Sequence, residues 1–189
     1  MMFMTVVVLG LIAPGVVGCA ASSTSAGSAP VESATESTAT PTPSGPGPEA
    51  EAQAQAWLDA ATVPPGATPS SSSPAAFNSF TGWVCQPVAT LEAFWTVPDM
   101  TVTAAANWLI THPTADLVTT AGEPWPEEQD VDESSVGYVP ADKSQQGVVY
   151  TVVRMDDGVA IRAEIAALDE SAVCPDAPDG GEWGLPGQG

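Results

Sequence analysis

The stretch GVVYTVVRMDDGVAIRAEIAAL, Gly147 to Leu168, decides the fold. Two runs rich in β-branched residues flank a turn-forming dipeptide, the signature of a β-hairpin. Asp157-Gly158 reads as a two-residue turn of the I′ kind joining strands 147–155 and 159–168. In that register Val148, Tyr150 and Val152 oppose Ala167, Ile165 and Ala163 on one face. Val149, Thr151 and Val153 oppose Ala166, Glu164 and Arg162 on the other. The first face is the expected core and the second is mixed, so something apolar must cover the first.

Upstream, Val102, Ala105, Ala106, Leu109 and Ile110 repeat with helical spacing and make a stripe able to cover it. Asp99 or Thr101 is placed to cap this helix, and Pro113 ends it at His112. Trp108 lies beside the stripe. Glu49 to Thr62 reads as a second helix, with Ala50, Ala54, Trp57, Leu58 and Ala61 on one side and Glu49 and Glu51 at its positive end. Val63-Pro64-Pro65-Gly66 stops it. Further strands are expected at Trp83-Val84-Cys85, Leu91 to Val97 and Val136 to Val139. Residues 67–76, dense in Ser and Pro, read as a flexible loop. The resulting fold class is α+β: one small domain with an antiparallel sheet, ending in the hairpin and packed by one or two helices. It spans residues 49–174 (loop 63–76), and Pro175 to Gly189 reads as a flexible acidic tail.

The amino-terminal part has another character. Met2 to Val17 is almost entirely apolar, and Val16-Val17-Gly18-Cys19 closes it. These four residues resemble the lipobox of bacterial lipoproteins. The resemblance implies that residues 1–18 are a signal peptide and that the Cys19 thiol receives a diacylglyceryl group. It places the protein at the extracytoplasmic face of the cell membrane, held there by lipid. The usual basic segment is missing from Met1-Met2-Phe3-Met4. Two alternatives stay open: an uncleaved membrane helix from about Met2 to Ala21, and release by ordinary cleavage near Cys19. Pro14-Gly15 favours a cleavage-site bend over a continuous helix. From Cys19 to Pro48 the chain is Ser, Thr, Ala, Gly and Pro with only Glu32 and Glu36 charged, a composition expected to give a disordered tether.

Lys143, Arg154 and Arg162 are the three basic residues, against 23 acids, for a net charge of −20. Nothing could neutralise a run of phosphates, so nucleic acid is no partner. An anionic lipid surface would repel the domain, so membrane attachment has to be hydrophobic. With Cys19 lipidated, Cys85 and Cys174 are left to pair as a disulfide in an oxidising compartment. No CxxC, HExxH, Gly-x-Ser-x-Gly or phosphate-binding glycine loop is present, and no cofactor is expected. His112, the single histidine, sits at a helix end, where an imidazole bonds the last carbonyls. The acidic run from Glu123 to Glu133 holds one weak calcium candidate, Asp130, Asp132 and Glu133, without EF-hand spacing or its turn glycine. The other reading of that run is a solvated loop.

Phe94-Trp95-Thr96-Val97-Pro98, Trp108 to Pro113, Ala160 to Glu164 and the early Pro64-Pro65-Gly66 turn together resemble a group of uncharacterised actinobacterial secreted or lipid-anchored proteins. The resemblance spans roughly Trp57 to Leu168 and implies export and a shared fold, but no catalytic residues. Two function classes follow. One is a non-catalytic envelope lipoprotein binding an envelope protein, a wall polymer or a small ligand, with Trp83, Phe94, Trp95 and Trp125 as groove candidates. The other is a small hydrolase using a carboxylate pair.

Overall fold

The computed structural model describes residues 45–188 apart from Ser79 and Thr81. The expected signal peptide, Cys19 and most of the expected spacer lie outside them. Helix α1 spans Pro48–Asp59, β1 Thr68–Ser70, β2 Gln86–Pro98, α2 Val102–Thr111, β3 Val118–Thr119, β4 Glu133–Val139, β5 Gly147–Met155 and β6 Gly158–Val173. The strands form one antiparallel sheet in the order β1-β2-β6-β5-β4-β3. The α+β architecture is thus as the sequence implies.

The hairpin forms, but its turn is Asp156-Asp157, one residue earlier than expected. Met155 pairs with Gly158, Val148 with Ile165, Tyr150 with Ala163 and Val152 with Ile161. Gly158 is taken from the turn by the neighbouring strand. It sits opposite Pro98 with φ 152°, and a Cβ there would lie 2.2 Å from the Val97 carbonyl oxygen. Moving the turn by one residue shifts the partner strand by two. Two is the side-chain period of a strand, so the expected core face survives intact.

Both helices cover that face, α1 over β2 and β6, α2 over β4 and β5. Leu109, Val136, Tyr138, Tyr150, Ile161 and Ile165 are fully buried between them. Each large apolar side chain so buried contributes about 1.5–3 kcal/mol. Thr101 caps α2, its Oγ1 accepting the Ala104 N–H at 3.1 Å, and the helix ends at His112 as Pro113 requires. Pro65-Gly66 turns the chain after α1, with Gly66 at φ 85° and Ala67 N–H donating to the Pro64 carbonyl.

Several expectations need correction. Residues 67–76 are not all loop: Thr68–Ser70 pairs with Thr96, Trp95 and Phe94 as β1. Trp83 to Cys85 is no strand; the strand begins at Gln86 and continues unbroken through the expected Leu91–Val97 segment. Strand β4 starts at Glu133 rather than Val136, and β6 runs to Val173, past Leu168.

The tail, expected to be loose, packs on the second face of the sheet. The Thr120 hydroxyl donates to the Pro186 carbonyl at 2.9 Å, and Gln145 Nε2 donates to the Gly184 carbonyl at 3.1 Å. Gly137 makes room for it: a Cβ at that position would lie 2.0 Å from the Pro186 oxygen. With the tail and Phe77 in place, Val149, Thr151, Ala160 and Ala166 on this second face are also buried.

Cys85 and Cys174 form a disulfide spanning 89 residues, beside the Gln86–Val173 pair that ends the β2–β6 ladder. Replacing both cysteines by serine should cost about 2–5 kcal/mol, read as a lower urea midpoint with near-native circular dichroism below it. Gly137→Ala should cost about 1–3 kcal/mol and open the tail to limited proteolysis ahead of Pro186. A tail that stays protected would mean the packing at Gly137 is not what holds it.

Candidate functional site

The acidic loop lies between α2 and β4 and is fastened from three sides. Arg154, on β5, reaches across with Nε donating to Asp132 Oδ1 at 2.8 Å and Nη2 donating to Asp130 and to the Val131 carbonyl. Thr103 donates to the Gln129 carbonyl. Asn107 clasps the Trp125 backbone with two 2.8 Å hydrogen bonds, one each way. The Asp130 and Asp132 carboxylates therefore face a guanidinium, while Glu133 is the first residue of β4, opposite Val153. Among the described residues no three His, Cys, Asp or Glu side chains are grouped to hold a metal ion.

His112 stacks flat on Trp108, ring centroids 3.9 Å apart, with Nδ1 2.7 Å from the Trp108 carbonyl. It closes the helix end, as its position in the sequence suggests. Behind it a line of hydroxyls runs into the core: Tyr150 to Thr114 at 2.7 Å, Thr114 to Thr62 at 3.2 Å, and Thr62 to the His112 carbonyl at 2.9 Å. Tyr138 donates to the Leu109 carbonyl. Burial, with the neighbouring Tyr150, pushes the Tyr138 phenol far above its ordinary range, so it remains a donor that ties β4 to α2, while Tyr150, also raised by burial, ties β5 to Thr114 just beyond the helix.

The second face carries a carboxylate pair that the sheet brings together. Glu92 on β2 is directly opposite Glu164 on β6, and Phe94 is opposite Arg162. Arg162 Nη2 lies 2.7 Å from Glu164 Oε2, and the guanidinium sits 5.0 Å over the Phe77 ring. Burial raises the Glu164 carboxyl, Arg162 lowers it and the Glu92 charge raises it again, with a net upward shift. That Glu92 faces Glu164 was not visible before the β2–β6 register was known. The signal that could have found it is the shared alternation of Glu92-x-Phe94 with Arg162-x-Glu164.

Of the aromatic groove candidates, Trp125 is 40% exposed, whereas Trp83, Phe94 and Trp95 are half-buried. Trp125 borders a cleft of about 370 Å³ with Pro124, Pro126 and Ser135. Trp108, Asn107 and Glu127 line a neighbouring one of about 680 Å³ on the outer side of α2. A third, of about 530 Å³, runs between α1 and β2, lined by Pro46, Glu51, Gln55 and Val88 to Leu91. All three are broad and open to solvent. Comparison with protein-family models, with curated proteins and with solved structures finds no match.

The raised Glu164 carboxyl makes a sign that can be tested. Its folded pKa lies above its unfolded one, so stability from this group is full below the ordinary glutamate range and is lost as pH rises through the folded value. Carbon-detected NMR should show Glu164 titrating above the exposed glutamates. Glu92→Gln should lower that midpoint by removing a like charge, and Arg162→Met should raise it. A Glu164 midpoint indifferent to Glu92 would refute the coupling.

Proposed function

We propose that the protein is a lipid-anchored extracytoplasmic envelope protein whose domain is a non-catalytic binding module. The observation that carries this reading is the ending Val16-Val17-Gly18-Cys19 of an apolar leader, followed at once by the Ser/Thr/Pro spacer. The disulfide supports export, because such a bond persists in oxidising compartments. The commitment of Arg154 to the acidic loop and of Arg162 to Glu164 supports a structural use for the charges. The open clefts and the clasped, exposed Trp125 support contact with a partner protein or a wall polymer.

A second reading, a small carboxylate-dependent hydrolase acting on envelope material, is favoured by the Glu92–Glu164 pair with its raised carboxyl. The two separate cleanly. A binding module keeps its partner when Glu164 alone becomes glutamine, whereas a hydrolase loses turnover with that change.

Mass spectrometry of the detergent-extracted protein should find an amino-terminal Cys19 carrying a diacylglyceryl thioether. Cys19→Ser should leave the precursor unprocessed and without lipid. Protein recovered free in the medium and beginning beyond Cys19 would overturn the anchor.

A further inference from the structure

Strand β1 covers only the far half of β2. Its three pairs end at Ser70–Phe94, and among the described residues no strand pairs with that side of residues 88–92. The direction of the free backbone groups follows from two prolines. Pro69 has no N–H, so its pairing with Trp95 is of the non-hydrogen-bonded kind, and Thr96 and Phe94 carry the bonds to β1. Pro98 opposite Gly158 imposes the same alternation on the β6 side. With a period of two, Thr90 and Glu92 turn their N–H and C=O outward, beyond the end of β1. Both residues are exposed. The α1–β2 cleft opens beside them, with Val88, Ala89 and Leu91 on its floor and Glu51 and Gln55 on its helical wall.

We infer that this edge is a docking site for an extended, cationic peptide segment of a partner protein, which adds a strand along Val88 to Ala93. Main-chain hydrogen bonds to Thr90 and Glu92 supply the attachment. Side chains of an added strand alternate between the two faces. On one face they meet Glu51 in the cleft, and on the other Glu92, so a row of Lys or Arg fits on either side. The wider charge agrees: the chain carries −20, and Arg162 on the Glu92 face is engaged with Glu164. A second copy would bring a second −20 to the same edge, and the spacer from Cys19 to Pro48 contains no basic residue. This inference rests on the binding-module reading and not on the anchor, so lipidation of Cys19 can fail while it stands.

The test uses the full chain in detergent and a fluorescein-labelled octapeptide of alternating Lys and Val. Three controls accompany it: a Glu-Val octapeptide, the Lys-Val peptide N-methylated at alternate amides, and the Glu51→Gln/Glu92→Gln variant. Saturable binding is expected, with the Thr90 and Glu92 amides gaining protection from hydrogen exchange. Each control should weaken binding about tenfold or more. Equal binding of the N-methylated peptide would overturn the proposal, because the contact would then be electrostatic without strand addition. So would absent binding, or unprotected Thr90 and Glu92 amides at saturation. Sedimentation as a dimer with those amides already protected would assign the edge to a second copy and overturn it too.

Discussion

Everything in this domain is referred to one strand. β6 is paired along one side to β2 and along the other to β5, so its backbone donors and acceptors are spent internally over most of its length. It is also covered on both faces. Ile161, Ala163, Ile165 and Ala167 meet the helices, while Arg162 and Glu164 meet the segment around Phe77. A strand satisfied in four directions has one workable register, and the rest of the chain takes its position from it.

Covering the second face is the less ordinary part of the design. Among the described residues no helix does it; irregular chain does, at Phe77 and again from Trp183 to Gln188. Irregular backbone brings polar groups of its own, and these are answered locally: Pro186 by Thr120, Gly184 by Gln145, Pro175 by the Trp183 indole. The partly buried ion pair belongs to the same layer. Its desolvation is offset by mutual attraction and by the aromatic ring above the guanidinium, which makes it a device for fixing one arrangement rather than a large source of stability.

The elements legible in the sequence are those whose signal is local. Helix α2 announces itself by period and by the prolines that bracket it. The hairpin does so by its branched residues and aspartates, and the disulfide by the two cysteines that fall within the domain. What escaped is what depends on a partner far along the chain. Thr68-Pro69-Ser70 has no strand character by itself and becomes β1 only because β2 offers an edge. The turn fell at Asp156-Asp157 rather than Asp157-Gly158, and Gly158 pairs with Pro98 of β2, a contact with no trace in the hairpin's own residues. The docked tail left one clue, a glycine at 137 inside a strand pattern. For the candidate sites the limits are the same. The acidic loop was plain to see, but that Arg154 closes on it required the β4–β5 pairing. The Glu92–Glu164 pair and the outward Thr90 and Glu92 amides required the register of β2.

The junction ahead of α1 has a mechanical consequence. The Gly47 N–H is held 2.7 Å from an Asp169 carboxylate oxygen, and Asp169 sits on β6 a few residues before Cys174. The bond is charge-assisted and pins the start of α1 to β6, so the first turn of the helix can fray only after this contact is broken.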